Sequence, residues 1–273
     1  NSERNNCAQI TMKKILTTLF GILLTTFIYA QPTVCTLSAG PNQTICAPNC
    51  ANLTATFCPS FQTTSYTQAI IPYAPDPYNA GTAVALTDDS QTGLLPLPFP
   101  FCYYGNVYNQ FIIGSNGWVG FSVTTSAWFI PAATPTANAG VPKNCHMGPW
   151  IDINPSVGGT IRYQTYGTAP CRRLVVSWNA VPMYSCGTPN THQIALYETT
   201  NIIDNFILSK PFCNTWNGGN AIQGTHNLPG TLATVVPGRN YPTQWTIANE
   251  GRRFTPAGPA TYVLTWFNGV TPI

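Results

Sequence analysis

The sequence predicts an all-β protein, an antiparallel β-sandwich with long loops behind a small strand-rich N-terminal segment. Three observations predict it. The 273 residues hold 25 prolines and 22 glycines, which break long helices and supply turns. Thirteen Tyr, 13 Phe and 7 Trp favour strands. No long segment carries a clean helical period with a cap. A hydrophobic fraction of 44% is enough for a core and excludes a disordered chain. Charged residues are only 7%, against about 25% in an ordinary soluble domain, so a helical bundle with charged wet faces is excluded as well. A net charge of +3 is too small to imply a nucleic-acid partner.

In chain order, Met12-Lys13-Lys14 is followed by the apolar run ILTTLFGILLTTFIY and then Ala30-Gln31-Pro32. This is the pattern of a secretory signal peptide over residues 12–30. The run is shorter than the roughly 20 residues that span a bilayer, and no second long apolar run occurs, so no membrane span is expected after cleavage. Residues 1–11 fit no part of a leader and read as upstream sequence translated ahead of Met12. Beyond residue 30 there remain 8 basic and 7 acidic residues and nine cysteines. An exported chain can oxidise those cysteines. Zinc is the weaker reading, because Cys46 and Cys50 are the one close pair and His146, His192 and His226 all stand far from it.

Residues 31–94 read as a small β-rich piece followed by a polar, proline-rich connection, in which Pro72, Pro75 and Pro77 force an extended path. From residue 95 the texture becomes strand-like. Tyr104-Gly105-Asn106 and Ser115-Asn116-Gly117 are turns, the second being the Asn-Gly hairpin signal, and Trp118–Phe121 resumes the strand. A loop rich in Ala, Pro and Thr covers 124–148. Arg172–Trp178, His192–Glu198 and Ile202–Leu208 follow one another with short links and form an antiparallel meander. One helical turn is expected at Asn220–Gln223. Residues 261–273 read as the opening of a following domain, cut short.

The meander also predicts a disulfide. Its first and third strands run the same way, so Cys186 and Cys213, which follow them, share one edge of the sheet, while Cys171 lies at the other. A bond needs Cα atoms about 4.4–6.8 Å apart, so Cys186 is expected to pair with Cys213.

The segments GNVYNQFIIGSNGWVGF, GPWIDINPSVGGTIRYQTYGTAPCRRLVVSWNAVPMYSC and THQIALYETTNIIDNFI resemble the nidogen-type extracellular β domain. The matching features are Ser115-Asn116-Gly117 before an aromatic, Trp150-Ile151-Asp152, Val176-Ser177-Trp178 and Gln193-Ile194. The downstream segments are similar to a version found in secreted multidomain proteins of Bacteroidota that use type IX secretion. The resemblance covers residues 95–260. It implies cell-surface or matrix adhesion, and the family has no catalytic residues to carry over.

The residues offer little chemistry of their own. There is no nucleophile elbow, and Gly114–Gly117 is better read as a turn. His226 reads as a loop histidine bonded to backbone. Asp152 and Glu198 are the best-placed carboxyl pair for glycoside hydrolysis, without a spacing rule behind them. Asp88 and Asp89 lack the EF-hand pattern and read as a solvated turn, so Asp88, Asp89 and Asp152 are weak candidates for Ca2+, and no cofactor is expected. Tyr104, Tyr108, Trp128, Trp216, Tyr241 and Trp245 lie in or beside turns. Such rings could stack on a sugar, with core packing as the competing role. The expectation is a secreted, non-catalytic adhesion or recognition module of a larger cell-surface protein, taking a protein or glycan ligand. A carbohydrate-binding module of a polysaccharide-degrading system and a secreted hydrolase stay open as alternatives.

Overall fold

The computed structural model describes residues 63–126 and 130–258, and four short strands outside them. The leader at 12–30, Cys35, Cys50, Cys58 and Trp128 lie outside the described residues. Two units are separable. The first takes residues 1–59 and 262–273. In it β1 (Cys7–Gln9) pairs antiparallel with β2 (Thr44–Cys46), and β16 (Phe267–Asn268) pairs with β17 (Thr271–Pro272). Asn268, in the stretch read from sequence as the opening of a following domain, thus has a return strand in Thr271–Pro272.

The second unit, Ser60–Thr261, is the sandwich. Its strands are β3 (Tyr66–Ile71), β4 (Thr82–Val84), β5 (Leu95–Tyr103), β6 (Asn106–Gly114), β7 (Trp118–Gly120), β8 (Cys145–Trp150) and β9 (Thr160–Tyr166). There follow β10 (Arg173–Pro182), β11 (Pro189–Tyr197), β12 (Ile203–Lys210), β13 (Ile222–His226), β14 (Ala233–Val235) and β15 (Ile247–Pro256). One sheet has the order β3-β15-β12-β11-β10-β9-β4, the other β14-β13-β8-β7-β6-β5, and every described pairing is antiparallel. The all-β sandwich expected from composition is the fold.

The core follows from strand alternation. Phe111 and Ile113 of β6 face Leu174, Val176 and Trp178 of β10 and Ile194 and Leu196 of β11 in the central cluster. The intervening Ile112 points out of that cluster, into a second one with Trp118, Met147, Trp150 and Ile222, which Ile130 and Val141 of the long 121–144 connection cover. The middle strands of the second sheet, β7, β8 and β13, are therefore buried on both faces, and all six residues of β8 are buried. Sequence reading missed β8 because Cys145-His146-Met147-Gly148-Pro149-Trp150 reads as loop. Gly148 is required there: a Cβ would press on Ile194 and Asn205 of the facing sheet. The expected helical turn is displaced as well. A 3-10 turn occupies Asn217–Gly219, and Ile222–Gln223 already belong to β13.

The connection expected ahead of residue 95 supplies both edge strands of the seven-stranded sheet, β3 and β4. Residues 72–81 cross from one edge to the other, over six strand spacings, or roughly 29 Å at 4.8 Å each. Eleven residue steps in an extended proline-rich path cover roughly 34 Å, so Pro72, Pro75 and Pro77 keep the strap long enough to reach. It is tied down at mid-sheet. The Asp76 N–H donates to Gln193 Oε1 at 2.9 Å, and Gln193 Nε2 donates back to Asp76 O at 3.1 Å. The Arg173 guanidinium forks onto the Asp76 carboxylate at 2.9 and 2.5 Å, and Tyr73 packs edge-on against Phe206.

Two predictions follow from this packing. Arg173→Ala leaves a mostly buried Asp76 carboxylate without its cation and is expected to cost about 1–3 kcal/mol in urea unfolding; a loss below about 0.5 kcal/mol would mean the strap is not held there. The second concerns pH. His146, edge-on to Phe254, and His192, stacked on Trp178 at 4.6 Å, are fully buried. Burial lowers both pKa values to about 3, and for His192 the nearby His146 lowers it further. The unfolded chain, with pKa near 6.5, then binds the extra protons, so the histidine contribution is whole above about pH 6.5 and is lost as pH falls towards 3. Relative to His192→Gln, the wild type should lose about 1.4 kcal/mol per pH unit in that window. Parallel curves from pH 7 to 4.5 would show that His192 does not titrate this way.

Candidate functional site

Four connections meet at the end of the sandwich where β10 stops: residues 88–91, 151–153, 183–188 and 211–220. The Ser115-Asn116-Gly117 turn between β6 and β7 organises them. All three residues are buried. Ser115 clamps the 88–91 segment, its N–H donating to Ser90 O at 2.8 Å while its Oγ accepts the Ser90 N–H at 2.9 Å. Asn116 reaches two segments at once. Its Nδ2 donates to Asp89 Oδ1 at 2.9 Å, its Oδ1 accepts the Ile153 N–H at 3.1 Å, and its carbonyl accepts the Ile151 N–H at 3.1 Å. Gly117 has a φ of +86°, and a Cβ there would collide with Pro149 O, so no other residue fits the turn.

Asn116 thereby sets Asp89 and Asp152 beside each other, although the two are far apart in sequence. Asp88, Asp89 and Asp152 each offer a carboxylate oxygen within 4.8 Å of the others. These are the three acids that sequence reading kept as weak metal candidates, and the fold brings all three together. With Tyr184 and Trp216 they line a pocket of about 250 Å³. Trp216 Nε1 donates to Asp152 Oδ2 at 2.5 Å, and its ring tilts against Tyr184 at 4.8 Å between centroids. The Tyr184 N–H donates to Asp152 O at 3.1 Å. Desolvation raises the Asp152 pKa to about 7, with the charges of Asp89 and Asp88 adding to it. Asp88 and Asp89 are raised too, first by burial.

A disulfide braces the two aromatic loops. Cys186 and Cys213 are bonded, with Cα atoms 5.8 Å apart. The strand-direction argument predicted this pair, and the pairing of β10 with β11 and of β11 with β12 is the meander it assumed.

The other sequence candidates lie elsewhere. Tyr104 and Tyr108 pack on the central cluster, their hydroxyls bonded to Thr225 and Asn144. Tyr241 packs on the second cluster. Trp245 is a buried core residue, donating to Ala221 O, with the Lys210 and Arg239 cations over its ring at 4.8 and 4.5 Å. Of the aromatics singled out, Trp216 alone among the described residues lines the pocket. Tyr184, 39% exposed, was missed; its place between Met183 and the bonded Cys186 was the available signal. His226 is bonded to backbone as expected, to Pro142 O and Thr136 N, but sits buried at the end of β13 and not in a loop.

Asp152 and Glu198 do not form a pair. Glu198 forks onto Arg172, just ahead of β10, while Asp152 bonds Tyr184, just beyond the other end of the same strand. Ten strand residues separate them, about 30 Å, several times the spacing glycoside hydrolysis uses.

The Asn116 turn and Asp152 are the same SNG and Trp-x-Asp elements on which the sequence resemblance rests, and the family comparison agrees. A model of the family described as NIDO related matches residues 60–266, more than half of the chain. The chain belongs to the nidogen-related family. The match begins at residue 60 and so takes in the strap and both edge strands, in line with the fold. No curated protein and no solved structure matches the chain. Among the described residues no helix is long and apolar enough to cross a membrane. The nidogen-related fold and an intramolecular disulfide are both consistent with an extracellular setting.

The disulfide spans 27 residues, for which loop closure gives about 3–4 kcal/mol. The double variant Cys186→Ala/Cys213→Ala should lose about that much in guanidinium unfolding and should raise the solvent exposure of Trp216, read by fluorescence quenching. A loss under about 1 kcal/mol with unchanged quenching would show that the brace does not hold the pocket.

Proposed function

We propose that this nidogen-related domain is the recognition module of an exported surface protein, and that it binds its ligand without catalysis in the pocket of Tyr184, Trp216, Asp88, Asp89 and Asp152. One observation carries the reading. The pocket is prepared before any ligand arrives: two aromatic loops are joined by Cys186–Cys213, and Trp216 is locked onto Asp152. A pre-organised aromatic surface loses little entropy on binding. The separation of Asp152 from Glu198 supports the non-catalytic part. The leader pattern at residues 12–30 supports export. The likeness of the downstream segments to secreted Bacteroidota proteins favours adhesion at a cell surface, in a chain of several domains handled by type IX secretion.

A glycan is the ligand class that the pocket favours over a flat protein surface. A part-exposed Tyr beside a Trp offers ring faces for a sugar, and neighbouring carboxylates accept its hydroxyls. The test is binding of the full chain to a glycan array and to immobilised matrix proteins. Selective retention on a sugar class is expected, weakened at least about tenfold by Trp216→Ala and unchanged by Tyr108→Phe, which lies away from the pocket. Retention that survives Trp216→Ala would put the binding surface elsewhere. Turnover of ester or glycoside substrates that disappears in Asp152→Ala would replace recognition by hydrolysis.

A further inference from the structure

We propose that Asp88, Asp89 and Asp152 hold a calcium ion at the base of the aromatic pocket. Charge pairing sets these three acids apart. The stretch after the leader has seven acids. Asp76, Glu198, Asp204 and Glu250 each form an ion pair with an arginine. The other three are Asp88, Asp89 and Asp152, and among the described residues no basic side chain pairs with any of them. A protein with so few charges thus gathers every acid that lacks an arginine into one place. Unscreened carboxylates this close repel, and a bound cation is the partner that would remove the repulsion.

Unpartnered buried oxygens point to the same place. Asp152 is 9% exposed, and its Oδ1 is wholly buried with no hydrogen-bond partner, although its Oδ2 is satisfied by Trp216. Asp88 Oδ1 is likewise buried and without a partner. Buried acceptors left this way are rare and costly, and these two belong to residues that line the same pocket. Asn116 holds Asp89 Oδ1 and Trp216 holds Asp152 Oδ2, so neither of these bonds uses the two unpartnered oxygens.

Distance fits the ion. Two oxygens on one Ca2+ lie no further apart than twice the bond length of about 2.3–2.6 Å. The carboxylate oxygens here fall within 4.8 Å of one another. Three side chains leave several coordination positions open towards the 250 Å³ pocket, where water or ligand hydroxyls complete the shell. Calcium tolerates such an irregular, part-open set, whereas Mg2+ demands near-octahedral geometry. The site deepens the proposed recognition role, since the ion stands where Tyr184 and Trp216 would hold a ligand, but it is measured with no ligand present.

The experiment uses the full chain and metal alone. Trp216 touches Asp152, so Tb3+ in the site should luminesce when the indoles are excited, and Ca2+ should displace it. About 10 mM Ca2+ should raise the Tm by roughly 3–10 °C over an EDTA-treated sample, for a Kd in the extracellular range of 10⁻⁴–10⁻³ M. Asp88→Asn/Asp89→Asn should weaken Ca2+ at least about tenfold with the far-UV CD spectrum of the apo chain unchanged, since the amide oxygen introduced at position 89 can still accept from Asn116, and Asp152→Asn should do the same. No Tb3+ signal and no Tm shift in the wild type would overturn the proposal. So would Ca2+ binding unchanged in the double variant, or an equal shift with Mg2+. Ca2+ binding without any glycan or matrix retention would reject the recognition reading and leave the ion site standing.

Discussion

One buried carboxamide holds this end of the molecule together. Asn116 donates to Asp89, accepts from the backbone of Ile153, and presents its own carbonyl to Ile151. Its hydrogen bonds thus join the 88–91 segment to the 151–153 segment. A buried amide must satisfy its donors and acceptors or lose much of its hydrogen-bond energy, so each segment is held at one distance from the turn. The turn packs closely, since a Cβ on Gly117 would meet Pro149 O and the His192 ring. What looks from the sequence like a hairpin signal is in the fold the frame on which the acidic pocket is built.

The rest of the sandwich supplies the stiffness that such a frame needs. The middle of the second sheet is covered on both faces, by the central cluster and by Ile130, Ala132 and Val141 of the connection between β7 and β8. The first sheet has the strap of residues 72–81 across it, pinned through Asp76 to Arg173 and Gln193. Between the sheets, Asn205 donates to Gly148 O and accepts from Gln223, which in turn accepts from Arg239. These bonds cross the interior and fix the sheets relative to each other as well as packing alone could. The proposed recognition role then falls to the end loops, where binding residues commonly lie on rigid β scaffolds.

The fold class, the Ser115–Gly117 hairpin, the three-strand meander and the Cys186–Cys213 bond were legible because each rests on local pattern: alternation, a turn dipeptide, and strand direction. The edge strands β3 and β4 were not. Their partners β15 and β9 lie far along the chain, and the prolines between them signal only extended backbone, which suits a strap as well as a linker. β8 was hidden because both of its faces are buried, so Cys145–Trp150 shows no alternation, and because Gly148 and Pro149 read as loop. The site was half legible. Asp88, Asp89, Asp152 and Trp216 could be named one by one, but nothing local says that they meet. Their meeting depends on the Asn116 side chain, a tertiary contact. Tyr184 stands two residues before Cys186, and only the Cys186–Cys213 bond, a tertiary link, marks its loop as part of the site.

The account holds that one turn converts three scattered acids and an aromatic pair into a single prepared pocket. The most direct measurement is a crystal structure of the full chain grown with calcium, with anomalous scattering used to place the ion. The account predicts one ion about 2.3–2.6 Å from oxygens of Asp88, Asp89 and Asp152, with Trp216 still donating to Asp152 and Asn116 to Asp89. Well-ordered carboxylates with only water between them, or an ion bound away from all three, would contradict it.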